Sequence, residues 1–181
     1  DLLALRANAA GGDHGFGKAK SCIVLFCWGG ISHLDTFDLK PNAPSNIRGL
    51  FKEIPTAVPG IRVGEHLPGF ARTMKQWAIV RSAHHNAPSH RSGAYWNLTG
   101  HQPEKLDKDW PASRKEWPCI GSMIWQAKKD KGSSPRNALP GAVALPYTLY
   151  DGGVSNGQDA GFLGMGMDPA VFRPPSKGLK I

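Results

Sequence analysis

The chain has 181 residues, which is long enough for one domain with a real core and too short for two large domains. Hydrophobic residues at 40% and charged residues at 20% exclude an intrinsically disordered protein. The formal net charge of +8 favours an anionic partner. The basic residues are scattered and accompany no recognition motif, however, so we expect an ordinary basic surface and no nucleic-acid binding.

Cysteine spacing and hydropathy exclude two further classes. The three cysteines form no CxxC pair, which excludes a zinc ribbon and a CxxC redox motif. No apolar run approaches the ~20 residues that a helix needs to cross a membrane, so we expect no transmembrane segment. With 22 glycines and 15 prolines, the chain is predicted to contain long ordered loops.

The beginning of the chain has two interpretations. Residues 1–12 (DLLALRANAAGG) are either a helix of the mature domain or the stretch that follows the apolar core of an export signal. We expect residues 1–20 to be a flexible post-signal segment, and residues 21–181 to form the domain. Residues 22–28 (CIVLFCW) are a continuous apolar run, which predicts a strand buried on both faces.

The remaining elements suggest an α/β fold, with a parallel-type sheet and flanking helices. Residues 39–60 are too rich in proline for a long helix. Apolar residues spaced by three and four predict a helix over 65–77, and a short strand, WAIVR, begins at Trp77. We further predict a helix in 93–100, a strand in 142–145, and a helix over 118–129 whose inner face carries Ile120, Met123, Ile124 and Ala127.

Two polar turns, each following a predicted strand, are the candidate site, because ligands bind at the carboxyl ends of parallel strands. In the first, residues 29–38, His33, Asp35 and Asp38 offer nitrogen and oxygen ligands for a metal. The alternative is that the two aspartates cap turns through their side-chain oxygens. Spacing alone does not separate these interpretations.

The second turn lies within residues 84–100 and holds three histidines within seven residues. His84, His85, His90 and, more weakly, Ser92 can bind metal or move protons. Arg91, beside a predicted helix start, can hold an anion. A single histidine is more often structural, but this density favours a functional site.

Three stretches of the chain resemble one protein family. They are LFCWGGISHLDTFDLKPNAPSNIRGLFKEIPTAVPG, LPGFARTMKQWAIVRSAHHNAPSHRSGAYWNLTG and GQDAGFLGMGMDPAVFRP. Together they resemble the DUF1501 family, over about residues 21–174. That family is similar to the sulfatases of the alkaline phosphatase superfamily, which hold divalent metals at the strand ends and attack phosphate or sulfate esters.

The resemblance implies roles for individual residues. The segment from His90 to Gly100, ending in LTG, is similar to the sulfatase nucleophile segment, and places His90 where sulfatases carry the nucleophile, with Ser92 two residues on. Arg91 would then steer the anion. The usual metal-binding aspartate after the first strand is replaced by Gly29 and Gly30, so the nearest carboxylate is Asp35. With His33, His84 and His85, it would hold Zn, Ca, Mg or Mn.

The resemblance also implies a setting. Family members commonly carry a twin-arginine export signal before this region, so we expect an exported, periplasmic or cell-surface protein. Their remaining metal ligands lie further along a longer chain, so this sequence resembles an N-terminal portion. We expect a metal-dependent hydrolase acting on an anionic small molecule or a polysaccharide ester. The alternative is a non-catalytic exported or surface binding protein that retains the fold.

Overall fold

The structure is a computed structural model, and it describes residues 19–132 and 140–173. The chain divides into two compact units, residues 1–79 and residues 80–181. The predicted post-signal segment, residues 1–20, lies outside the described residues except for its last two.

The first unit is built on a hairpin and one short helix. Strand β1 (Glu53–Pro55) pairs antiparallel with strand β2 (Arg62–Gly64). Helix α1 (Pro68–Thr73) begins with proline, whose missing N–H costs nothing in a first turn, and continues into a 3-10 turn, Met74–Gln76. The core consists of Val63, Ala71 and Met74, with partly buried side chains packed against them. A helix is therefore confirmed within the predicted range 65–77. Ala71 and Met74 on its apolar face are buried as predicted, whereas burial of Trp77, the last residue of that face, is wrong because its side chain is 51% exposed.

Two predicted strands are wrong in the described structure. Residues 22–28 form no strand, and Ile23 and Leu25 are 86% and 85% exposed. Residues 77–80 likewise form no strand, and Val80 is exposed. An apolar run supplies side chains suited to a buried strand, but a strand also needs a neighbour for its backbone hydrogen bonds. In the part of the chain that the structure describes, neither segment has such a ladder.

Helix α2 (His90–Thr99) organises the second unit. It begins after Ser89 and ends at Gly100, whose φ of +74° is the left-handed conformation that glycine adopts readily. Its buried face includes Ser92, Tyr95 and Thr99. The helix predicted in 93–100 is confirmed, and it starts three residues earlier than residue 93.

Helix α3 (Ile120–Asp130) confirms the helix predicted over 118–129, but its predicted inner face is wrong. Ile120 is 46% exposed, and Ile124 is exposed as well. The helix packs instead through small residues: Ser122 is fully buried and its Oγ donates to the carbonyl of Met167, 2.8 Å away. A Cβ on Gly121 would lie 3.1 Å from the Cβ of Ala142. Small side chains allow this close approach, which larger apolar ones would prevent.

Strand β3 (Val143–Ala144) pairs parallel with strand β4 (Ala170–Val171), which confirms the strand predicted in 142–145. Two 3-10 turns, Gly161–Leu163 and Met165–Met167, precede β4. The described residues thus contain two small sheets, one antiparallel and one parallel. Among the described helices, none has the length and apolar character needed to cross a bilayer.

Candidate functional site

The first predicted turn lies in the first unit and is closely packed. His33–Asp35 form a 3-10 turn, and the carbonyl of His33 accepts the N–H groups of Phe37 and Asp38 at 3.1 and 2.8 Å. The N–H of Gly64 donates to the carbonyl of Thr36 at 2.6 Å, which joins the turn to β2. A Cβ on Gly64 would lie only 2.5 Å from the carbonyl oxygen of Asp35. The backbone of this turn is therefore hydrogen-bonded to the hairpin and packed closely against it.

The first two histidines of the second turn contact residues close to them in the sequence. His84 Nδ1 lies 3.0 Å from the carbonyl oxygen of Ser82. The N–H of Ala87 donates to His85 Nδ1, and the His85 ring stacks on Trp96 with an angle of 22° between the planes. The same ring lies over Gly93, where a Cβ would be 3.1 Å from its Cε1 atom. His85 therefore packs against α2.

The third histidine meets a carboxylate from far along the chain. His90, the first residue of α2, places Nδ1 3.0 Å from Oδ2 of Asp151. The His90 side chain is 80% exposed and that of Asp151 is 42% exposed. When the imidazole is neutral, this geometry assigns the proton to Nδ1, because a carboxylate only accepts. Nε2 is then the basic nitrogen of the ring. A histidine oriented by a carboxylate in this way is the recurring pair of acid–base and nucleophilic catalysis.

Arg91, the next residue, donates side-chain hydrogen bonds to the backbone of the same aspartate. Its Nε and Nη2 atoms donate to the carbonyl oxygen of Asp151 at 2.9 and 2.5 Å. Nε also lies 3.5 Å from Oδ2 of Asp109, and the Arg91 side chain is only 13% exposed. Ser89 Oγ donates to Oδ1 of Asp109 at 2.6 Å. The start of α2 therefore joins two loops, one through Asp109 and one through Asp151.

Ser92 is directed away from solvent. It is fully buried, and its Oγ donates to the carbonyl of Lys105 at 2.9 Å. The hydroxyl thus binds the loop before Asp109 to the helix. Of the three predicted catalytic side chains, only His90 combines exposure with a carboxylate partner.

The predicted metal ligands do not fit a metal site in the described structure. Within residues 19–132 and 140–173, no three His, Cys, Asp or Glu side chains come together in an arrangement that could hold a metal ion. His33 and Asp35 belong to the first unit, and His84 and His85 to the second.

Sequence reasoning missed Asp109 and Asp151, the two carboxylates at the start of α2. Asp151 opens the tip of a hairpin in which Tyr150 and Val154 form an antiparallel bridge, and its N–H donates to the carbonyl of Gly153 at 2.9 Å. The signal that could have found it is the Asp-Gly-Gly sequence, which is typical of a tight turn. Asp109 offers no comparable signal.

Two groups elsewhere in the second unit have shifted pKa values. Arg114 donates two hydrogen bonds to the carboxylate of Asp168, at 2.6 and 2.9 Å, and these lower the pKa of Asp168. The same bonds raise the pKa of Arg114. Burial raises the pKa of Tyr95, whose hydroxyl accepts the N–H of Trp117. The three shifts favour an ionised Asp168, a positively charged Arg114 and a neutral Tyr95.

Comparison with known proteins gives a family. No curated protein and no solved structure matches the chain significantly. The family model described as "Protein of unknown function (DUF1501)" matches residues 19–180, which covers almost the whole chain. The chain therefore belongs to the DUF1501 family.

Proposed function

We propose that this chain carries the reacting histidine of a hydrolase that cleaves phosphate or sulfate esters. One observation carries the proposal: an exposed histidine at a helix start, with Nδ1 3.0 Å from a carboxylate sixty-one residues away. The resemblance to the sulfatase nucleophile segment supports it, because His90 occupies the position of the nucleophile in that segment. Ser92, the alternative nucleophile in that segment, is buried, and its hydroxyl donates to the carbonyl of Lys105.

His90 acts as the nucleophile in this proposal. Nε2 of the neutral ring attacks the phosphorus or sulfur atom, and the bond from that atom to the ester oxygen breaks. The departing alkoxide takes a proton from water. A second water molecule then attacks the phosphorus or sulfur atom and breaks its bond to nitrogen, which releases phosphate or sulfate and regenerates the neutral imidazole. The proton that this water loses neutralises the hydroxide formed in the previous step. The substrate is an anionic small-molecule or polysaccharide ester.

Asp151 has two parts in this reaction. Its carboxylate fixes the orientation of the ring by accepting the Nδ1 proton. When Nε2 forms its bond, the ring becomes positively charged, and the carboxylate 3.0 Å away offsets that charge. The charge compensation is larger in the transition state, where the ring becomes cationic, than in the ground state, which is the requirement for catalysis.

The test is turnover of p-nitrophenyl phosphate and p-nitrophenyl sulfate by the full-length protein, with and without Zn²⁺, Mn²⁺, Mg²⁺ or Ca²⁺. We expect His90→Gln to lower turnover by at least about 10²-fold, as loss of a reacting group does. His66→Gln is the matched control, because His66 is also exposed and its ring packs edge-on against Phe51 in the first unit. Absence of turnover under every condition, or equal rates in both variants, would contradict the proposal.

A non-catalytic exported or surface binding protein is the second candidate. It is favoured by the internal bonds of Arg91 and Ser92, since both serve the packing of the helix start. This candidate predicts calorimetric binding of a phosphorylated or sulfated ligand without turnover, and binding that His90→Gln leaves unchanged. The two candidates therefore differ in the same pair of variants.

A further inference from the structure

Two neighbouring residues at the start of α2 hold a single aspartate at two different places. His90 contacts the carboxylate of Asp151, while Arg91 donates two hydrogen bonds to its backbone carbonyl. The carbonyl contacts fix where the aspartate backbone lies, and the carboxylate contact depends on that placement. The carbonyl and the carboxylate of Asp151 are separated by only a few bonds. Contacts to both groups therefore restrict this residue more than either contact alone.

Glycine makes this arrangement sterically feasible. A Cβ on Gly153 would lie 2.5 Å from Nη2, 3.0 Å from Cζ and 3.1 Å from Nη1 of Arg91, so the guanidinium lies directly against the backbone of the hairpin tip. Gly152 has φ of +63°, a conformation that other residues rarely adopt. The guanidinium can lie this close to the hairpin tip because position 153 carries no side chain.

The charge of Arg91 is also engaged within the protein. Asp109 lies 3.5 Å from Nε and is itself held by the hydroxyl of Ser89 at 2.6 Å. With a neighbouring carboxylate and only 13% of the side chain exposed, the guanidinium presents little positive charge to a substrate in solution. These contacts favour a role inside the protein over direct binding of an anion.

We propose that Arg91 is a positioning residue that places Asp151 for its contact with His90, with Gly153 as the surface against which the guanidinium rests. This role rests on the proposed function only for its effect on rate. Its effect on the His90 ring is a property of the folded protein, and is measurable without any substrate.

The first measurement is the tautomer of the His90 ring, read from long-range ¹⁵N–¹H spectra of the neutral imidazole. Wild-type protein should show predominantly the Nδ1–H form, because that proton bonds to Asp151. Asp151→Asn should reduce that form, and sets the scale for loss of the contact. We expect Arg91→Lys and Gly153→Ala to move the tautomer population in the same direction, since lysine cannot donate two bonds in a planar fork.

The second measurement is steady-state kinetics of the same variants. A misplaced aspartate should lower kcat by about 10-fold to 10²-fold with little change in KM, as errors of about 1 Å in positioning do. Arg62→Lys is the matched control. Arg62 lies in β2 of the first unit, where it pairs with Glu53 of the same unit. Circular dichroism tests whether each variant is folded. Gly153→Ala provides a test in which Arg91 itself is unchanged.

Two results would overturn the inference. One is an unchanged His90 tautomer in Arg91→Lys and Gly153→Ala when Asp151→Asn changes it. The other is a raised KM with unchanged kcat, which would indicate that Arg91 binds the substrate anion. If the wild-type protein shows no turnover, the proposed function fails, while the tautomer measurement still decides the role of Arg91.

Discussion

The turn at residues 29–38 and the turn within residues 84–100 carry similar polar side chains, but their contacts differ. In the first, the backbone of His33 and Thr36 bonds within the turn and to β2, so the segment braces a hairpin. In the second, His90 is exposed and meets a carboxylate brought from another loop. A histidine beside an aspartate in sequence thus indicates less about chemistry than a histidine that meets one through the fold.

The largest effect is expected where the first turn touches β2. Gly64→Ala places a Cβ 2.5 Å from the backbone oxygen of Asp35, and backbone atoms cannot move aside easily. We expect a loss of about 3 kcal/mol in the free energy of unfolding, the upper end for overpacking. Urea unfolding followed by circular dichroism measures it.

Gly69→Ala is the control for that substitution, since a Cβ there meets nothing within 4 Å and the residue lies in α1. It should be neutral or should stabilise the protein by up to about 1 kcal/mol. If both variants unfold at the wild-type urea concentration, the first turn does not brace the hairpin.

A smaller effect is expected at Ser92, in the second turn. Ser92→Ala leaves the carbonyl of Lys105 without its buried donor, and should cost about 1–2 kcal/mol of unfolding free energy. Turnover at saturating substrate should remain within about 3-fold of wild type, or about 0.7 kcal/mol in activation free energy, in conditions where the variant is folded, because the Ser92 hydroxyl is buried and bonded to the carbonyl of Lys105. A loss of turnover as large as that of His90→Gln would instead make Ser92 a reacting group.

The smallest effect is expected in acid, at Asp168 in the second unit. The pKa of Asp168 is lowered by hydrogen bonds from Arg114, so its ionised form stabilises the fold above the pKa of the unfolded chain. That stabilisation is lost as the pH falls through the lowered pKa. Asp168→Asn should therefore be less stable than wild type near neutral pH, and the difference should shrink in acid.

Unfolding curves at several pH values between about 2 and 7, a range that spans the ordinary aspartate pKa, measure that difference. The exposed Asp107, changed to asparagine, is the control and should alter the free energy of unfolding little at any of these pH values. A constant difference between wild type and Asp168→Asn across the range would contradict the assignment.

Local features of the fold were predictable from the sequence. The helix over 65–77 follows from apolar spacing, and Ala71 and Met74 are buried as that spacing requires. The helix over 118–129 was also predictable, but its inner face was not. Apolar periodicity favours Ile120 and Ile124, whereas the packing is decided by the bond from Ser122 to Met167. Periodicity reports which side chains prefer burial, and does not report which partner the helix meets.

Non-local features were not predictable in the same way. The apolar run at residues 22–28 has the composition of a buried strand, yet a strand depends on a second segment that composition does not identify. His90 was found because histidines cluster around it, while Asp151 was missed because their contact spans sixty-one residues. The tautomer and placement of the imidazole depend on that distant partner.

The glycine at position 153 has a consequence for how the family's sequences vary. A residue with a side chain there would displace the guanidinium of Arg91 from the hairpin tip, so we expect the two positions to change together. Across related sequences, positions 91 and 153 should covary: arginine with glycine, and a smaller residue wherever 153 gains a side chain. Evolution would thereby record a contact between sites sixty-two positions apart, in a pattern that can be read without a structure.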